Sequence, residues 1–270
     1  MKGMKVVLIT GASRGIGRAL AEELSRRGHR VYGTGRSAIK EKLPFAYIAM
    51  DVTDGKSVKK AVRQVINAEG RVDVLVNNAG VSHCGTVEET PAAIARDMFE
   101  TNYFGPLSLI RELIPAMRER RSGTIVNVTS AAGRIGLPFE GHYSASKFAL
   151  EGLSEVLRHE VTPFGIRVIV AEPSDVGTSI WERTAKTDAP ASPYQDMLER
   201  FLAVKAKEMG PGADSPAHVA RQIADAIESA GGRYRYPVAK MAGLIMALQK
   251  LLPERLFFKI IAGNYRLYGK

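Results

Sequence analysis

In the run Tyr143-Ser144-Ala145-Ser146-Lys147 a phenol and an amine stand four residues apart, which on a helix places them on one face, a single turn from each other. A cation beside a tyrosine stabilises the phenolate and draws its pKa down from roughly 10 toward neutrality, as a general acid/base requires. Such a pair also arises by chance on ordinary amphipathic helices, so its weight comes from its company. Ser130 closes the apolar run TIVNVTS, and a hydroxyl there can hydrogen-bond a carbonyl oxygen and steady the charge that develops on it. Asn102 sits inside a long helical pattern, Met98-Phe99-Glu100-Thr101-Asn102-Tyr103-Phe104-Gly105, where an amide is unfavourable unless its side chain has a use.

A second kind of chemistry is written in Thr10-Gly11-Ala12-Ser13-Arg14-Gly15-Ile16-Gly17, which follows an apolar run and precedes the helical sequence RALAEELSRRG. Glycines here allow a tight turn, let backbone N–H groups approach a diphosphate, and permit close packing of helix on strand. The helix N-terminus adds partial positive charge. A glycine cluster alone is weak, but strand before and helix after are the context that such a turn needs.

The elements that must position these groups are legible as short apolar runs at residues 6–9, 31–34, 46–50, 74–76, 124–128 and 167–170, separated by longer segments of helical period. Runs apolar on both faces predict parallel strands buried between two helix layers, hence an α/β doubly wound, Rossmann-like sheet in one domain. Strand carboxyl ends in that architecture face the ligand crevice. Thr90-Pro91 is expected to cap a long helix running toward residue 121, and Gly28 and Gly123 to stop helices. From 174 to 215 the alternation lapses among Pro190, Pro193 and Pro211, which predicts a mobile substrate-binding insert. A helix over 217–230, a last strand within 233–238 and a tail, 239–270, with two short amphipathic helices within 241–262 complete the chain.

With its TGxxxGxG turn, the chain resembles the short-chain dehydrogenase/reductase family over roughly residues 5–178. Asn77-Asn78-Ala79-Gly80 is similar to the family's NNAG element, and Asn102, Ser130, Tyr143 and Lys147 match its tetrad. The resemblance implies that Tyr143 exchanges a proton with substrate oxygen while Lys147 lowers its pKa and holds the nicotinamide ribose. Ser130 would orient the carbonyl, and Asn102 would position a water that relays protons through Lys147. Gly11, Ser13, Arg14, Gly15, Ile16 and Gly17 would cradle the diphosphate, Asp51 and Val52 the adenine, and Asn78, Ala79 and Gly80 the middle of the cofactor. Pro173, Val176 and Thr178 would meet the nicotinamide end. Ser174 departs from the family's usual Pro-Gly at this point.

Family members selective for NAD carry an acid after the second strand to bind the ribose hydroxyls. Residues 24–40 contain no Asp or Glu and instead offer Arg36, with Arg14 in the turn. Two guanidinium groups suit a 2′-phosphate, so NADP(H) is the expected cofactor. Leu137, Pro138, Phe139 and Trp181 favour an apolar ketone, aldehyde or secondary alcohol, steroid- or retinoid-like by resemblance to that branch, with the wall drawn from residues 136–142 and those after Gly80. His83 and His142 read as structural histidines more readily than as substrate contacts. A non-catalytic NADP(H)-sensing regulator on the same fold is the alternative; such proteins usually lose the tyrosine or lysine, and both are present.

The net charge of +10 is dispersed, with Arg118, Arg120 and Arg121 its densest cluster, and reads as a solvated surface with no nucleic-acid partner. A single cysteine, Cys84, and the short apolar N-terminal run lead to a cytoplasmic expectation. No metal site is expected, and a homodimer or homotetramer is implied by the resemblance alone. The Met and Phe stripe of the tail is expected to pack on protein rather than lie on a membrane surface.

Overall fold

The computed structural model describes residues 3–178, 184–186, 192–210, 212–229, 231–239 and 241–268. Seven parallel strands form one sheet in the order β3-β2-β1-β4-β6-β7-β9, from β1 (Val6–Ile9), β2 (Arg30–Gly35), β3 (Ala46–Ala49), β4 (Val74–Asn77), β6 (Gly123–Val128), β7 (Ile166–Pro173) and β9 (Arg235–Val238). Two short strands, β5 (His83–Cys84) and β8 (Ala185–Lys186), pair in parallel outside it. Strand progression reverses between β1 and β4, and a ligand crevice opens at the carboxyl ends at such a switch point.

The doubly apolar strands are explained by their two covers. Val7 and Ile9 of β1 join Leu20, Ala21 and Leu24 of α1 (Gly15–Arg26) and Val219, Ile223 and Ile227 of α7 (Pro216–Glu228). The alternate residues Val6 and Leu8 face the other way, onto Val58 and Val62 of α2 (Gly55–Glu69), Leu109 and Leu113 of α4 (Gly105–Glu119), and Leu157 of α5 (Gly141–Val161). With a helix layer on each face, the central strands are apolar at most positions on both sides, Asn77 and Asn127 being buried polar exceptions.

Some local expectations give way to tertiary demands. The long helix expected from Thr90 is divided into α3 (Ala92–Phe99), a π-helical turn (Glu100–Phe104) and α4. The N-cap of α3 is Pro91, without a side-chain cap, and the Thr90 hydroxyl donates to the Thr86 carbonyl at 2.6 Å. Gly123 opens β6 rather than ending a helix, since a Cβ there would press on Met117. Gly28 does sit at φ +84°, just beyond α1. Arg120 and Arg121 donate to the carbonyls of Val72 and Pro163, which accounts for part of the basic cluster.

The stretch 174–215 holds a regular helix, α6 (Gln195–Glu208), whose Leu198 and Phe201 are buried. Trp181, Pro190 and Pro211 lie outside the described residues. The tail forms α8 (Ala242–Leu251) and α9 (Glu254–Asn264). Met246 and Phe257 pack inward as expected, whereas Leu244, Leu251, Leu256 and Phe258 remain exposed. No described helix is long and apolar enough to cross a membrane.

Candidate active site

A cavity of about 1050 Å³ lies along the carboxyl ends of the central strands. Its wall carries Gly11, Ser13, Arg14, Gly15 and Ile16 from the glycine turn, Arg36 after β2, Asp51 and Val52 after β3, and Asn78, Ala79 and Gly80 after β4. Ser130, Tyr143 and Lys147 join them, with Pro173, Val176 and Thr178 after β7. Gly17 and Asn102, also expected at the site, stand behind the wall.

The glycine turn is built for close approach. Gly11 and Gly15 have φ of +68° and +57°, conformations that a side chain would strain. A Cβ at Gly17 would strike Asn78 Nδ2 and the Gly11 carbonyl, so glycine holds helix and sheet together there. Thr10 Oγ1 accepts from the backbone N–H groups of Asn78 and Ala79, both at 2.9 Å, and Asn78 Nδ2 donates to the Thr10 carbonyl at 2.9 Å. Two segments distant in sequence are thereby fixed as one surface. Arg14 precedes α1 in extended conformation without a side-chain cap, so the first-turn N–H groups, including those of Gly15 and Ile16 in the wall, are those a diphosphate would use. A nucleotide therefore fits this cradle.

Arg14 and Arg36 are both exposed at the cavity edge. Glu41, just beyond the acid-free stretch, also reaches the wall, a residue that sequence reasoning passed over. Its carboxylate accepts both Arg18 Nη atoms, at 2.6 and 3.2 Å, and Arg18 also meets Glu22 at 2.9 Å. The acid is thus held by a two-pronged cation. Asp51 Oδ1 accepts from the Thr53 N–H at 2.9 Å and hydroxyl at 2.8 Å, which fixes the turn beneath the cavity.

At the other end, Ser130 caps a 3₁₀ turn, Ala131–Gly133, by accepting from the Ala132 N–H at 3.1 Å. Burial pushes the Tyr143 phenol pKa up to about 12, against the lowering influence of Ser130. The drop toward neutrality expected from Lys147 alone is therefore absent. The ammonium stands 5.9 Å from the centre of the Tyr143 ring and donates to the Val128 carbonyl at 2.9 Å. Burial lowers the Lys147 pKa to about 8, against the opposing pull of Glu151 one helical turn on.

Asn102 is fully buried in the π-helical turn. Its Nδ2 donates to the Val81 carbonyl and to Ser146 Oγ, each at 2.9 Å, while Oδ1 accepts from the Val81 N–H at 2.9 Å. It clamps the loop residue Val81, which follows the Asn77-Asn78-Ala79-Gly80 segment. A Cβ on Gly80 would stand 3.3 Å from Asn102 Oδ1 and 3.7 Å from Lys147 Nζ, so the missing side chain keeps a gap between them. Ser174 donates to the Val238 carbonyl at 3.4 Å, and its φ is not among the positive values of the described residues.

The cavity wall meets the expectation after Gly80 but not over residues 136–142. Val81, Ser82 and Met209 line the cavity, but none of residues 136–142 does. Leu137 and Phe139 instead pack against the cluster of Cys84, Leu198, Phe201 and Tyr265, with the ring centres of Phe139 and Phe201 5.4 Å apart. His83 is buried in β5, and burial together with His142 holds its pKa below the ordinary value, consistent with a structural role. Sequence reasoning also missed a buried ionic cluster. Lys205 of α6 meets Asp175 at 2.7 Å and Glu208 at 3.3 Å, near Glu140, whose carboxyl is pushed up to about 7 mainly by burial. Cys84 adjoins it, its thiol raised to about 12 by burial.

The chain is similar to known proteins over most of its length. Residues 5–189 match the short chain dehydrogenase family model. The chain is 35% identical over 255 residues to a 3-ketodihydrosphingosine reductase of Bacteroides thetaiotaomicron, covering 93% of this chain and 94% of that one. It is 32% identical to dehydrogenase/reductase SDR family member 7B of Bos taurus, over 97% of this chain and 81% of that one. A short-chain dehydrogenase structure from Streptomyces avermitilis superposes with a TM-score of 0.76 at 35% identity, covering 97% and 99% of the two chains. A Burkholderia cenocepacia relative in complex with NADP gives 0.77 at 26% identity over 99% and 98%, and a Burkholderia phymatum relative in complex with NAD gives 0.79 at 26% over 95% of each. Fold, motif order and these likenesses agree that the chain belongs to the short-chain dehydrogenase/reductase family of oxidoreductases.

Proposed function

We propose that the protein is an NADP(H)-dependent reductase of apolar ketones, acting at a carbonyl within a long hydrocarbon substrate and, in reverse, on the corresponding secondary alcohol. The observation that carries this reading is the convergence of Ser130, Tyr143 and Lys147 on one end of a cavity whose other end is edged by Arg14 and Arg36. Likeness over nearly the whole chain to a 3-ketodihydrosphingosine reductase supports the substrate class.

When bound, the nicotinamide supplies or accepts the hydride. Ser130 hydrogen-bonds the substrate oxygen and holds it beside the Tyr143 hydroxyl, which gives the proton during reduction and takes it during oxidation. A phenol raised to about 12 holds its proton at neutral pH, which suits donation. Lys147, with its pKa near 8, binds the ribose and restores the tyrosine proton. The remaining lone pair of Asn102 Oδ1 holds a water in the gap over Gly80, toward Lys147.

The test follows NADPH absorbance with long-chain 3-keto amines, steroid ketones, retinal and short ketones. Turnover of the long apolar ketones, cut at least about a hundredfold in Tyr143→Phe while NADPH binding persists, is the expected result. An unaltered rate in that variant would contradict the assignment.

A further inference from the structure

Apolar surface is distributed unevenly over this molecule. Among the described residues, seven of the thirteen large hydrophobic side chains that stand well exposed fall within the tail. Leu251 and Tyr268 are each 79% exposed, and Leu244, Leu256, Phe258 and Ile260 between 41% and 60%. The exposure follows the helices. Leu244, Ala247 and Leu251 lie at spacings of three and four on α8, opposite the buried Ala242 and Met246. Leu256 and Ile260 lie four apart on α9, while Phe257 and Ala262 turn inward. Each helix thus has one side packed on the protein and a second apolar stripe facing outward.

Cations flank these stripes. Lys250, Arg255, Lys259 and Arg266 are exposed, and Glu254 is the only carboxylate between residues 242 and 268. That charge balance selects the occupant. Symmetric pairing with a second copy would set this patch against itself, bringing ammonium and guanidinium groups of one sign together and taking them out of water. At an anionic bilayer the same groups meet lipid phosphates, their long stems reach up from the apolar stripe, and the leucines and phenylalanine sink below the headgroups.

We infer that α8 and α9 form a docking face by which the protein lies on the surface of an anionic lipid bilayer. On their packed side these helices touch elements that lead to the cavity wall. Gln249 Nε2 of α8 donates to the Arg134 carbonyl at 2.7 Å, next to the turn that follows Ser130. From α9, the adjoining Tyr265 ring centres 4.8 Å from Phe201 of α6, the helix that leads to Met209 in the cavity wall. A bilayer there holds a reservoir of apolar substrate beside the entrance. Docking itself depends on the tail surface alone, and only this delivery role rests on the proposed activity.

Co-flotation of the full chain with phosphatidylcholine vesicles, with and without phosphatidylglycerol, tests the inference. Binding that requires phosphatidylglycerol, weakens as salt is raised and falls at least about tenfold in Leu251→Asp/Phe258→Asp is expected. A second variant, Lys250→Ser/Arg255→Ser/Lys259→Ser, should lose the lipid-charge dependence. Both variants alter exposed residues, and unchanged melting and NADPH binding confirm that they fold. No flotation, equal binding to neutral vesicles, or flotation indifferent to the substitutions would overturn the proposal. So would self-association in light scattering that the same substitutions abolish, since the occupant would then be a second copy. Vesicle binding is read without turnover, so its failure is separate from failure of the enzymatic reading.

Discussion

Replacing Asn102 with Leu keeps nearly the same volume and removes every polar contact of the side chain. Two backbone groups of Val81, one N–H and one carbonyl, lose partners now at 2.9 Å. Ser146 loses the bond from Nδ2 but still donates to the Tyr143 carbonyl at 2.7 Å, so it contributes little. An unsatisfied buried backbone group costs about 1–3 kcal/mol. Val81 is only half-buried, which places the expected total at about 2–4 kcal/mol. For a chain of this size the melting temperature should fall by roughly 5–15 °C. Urea and thermal unfolding with nucleotide absent give the number directly. A loss below about 1 kcal/mol would show that the Val81 backbone finds water or relaxes without the clamp, and the structural role assigned to Asn102 would be refuted.

Three other substitutions address charge. Arg36→Ala should weaken NADPH far more than NADH in fluorescence titration, because a cation placed for the 2′-phosphate is lost; equal weakening would remove the basis for NADP preference. Arg18→Met frees the Glu41 carboxylate at the cavity wall, so NADPH binding should drop several-fold while NADH binding holds or improves; no change would mean that Glu41 does not sense the ribose end. Glu140 titrates near 7 in the folded protein against 4.5 as a free group, so the native state binds the extra proton and this carboxyl costs stability as pH rises from about 5 to 7. Glu140→Gln should flatten that slope, worth up to about 3 kcal/mol, in pH-dependent urea unfolding; an unaltered slope would assign the titration elsewhere.

What the sequence revealed, it revealed through local pattern. Val6–Ile9 reads as a strand because all four positions are apolar, and two covering layers require that. The glycine turn is legible by its spacing between strand and helix, although the contacts that demand glycine are remote: a Cβ at Gly11 or Gly17 would press on Asn78 and one at Gly15 on Thr178. Tyr143 and Lys147 share one helix, and Ser130 lies two residues beyond the end of β6, so their meeting follows once the sheet is parallel. Lys205 and Asp175, by contrast, are thirty residues apart, and no periodicity marks their union. The Arg18 bond to Glu41 spans twenty-three residues and escaped notice for the same reason. Helix α6 was hidden by prolines on either side of it. In the tail, helical period was plain, but periodicity cannot say which stripe a neighbour covers. Phe139 was assigned to the cavity by its apolar character, a property that serves equally well against Phe201.

The strand order has a kinetic consequence. β1 lies between β2 and β4, so its second edge waits for residues 74–77, and β4 in turn waits for β6 some fifty positions further along. No hairpin exists in the main sheet to form early and cheaply; every ladder closes a long loop first. Folding should therefore be slow, through collapsed species whose unpaired central strands invite intermolecular pairing, and refolding yield should fall steeply with protein concentration.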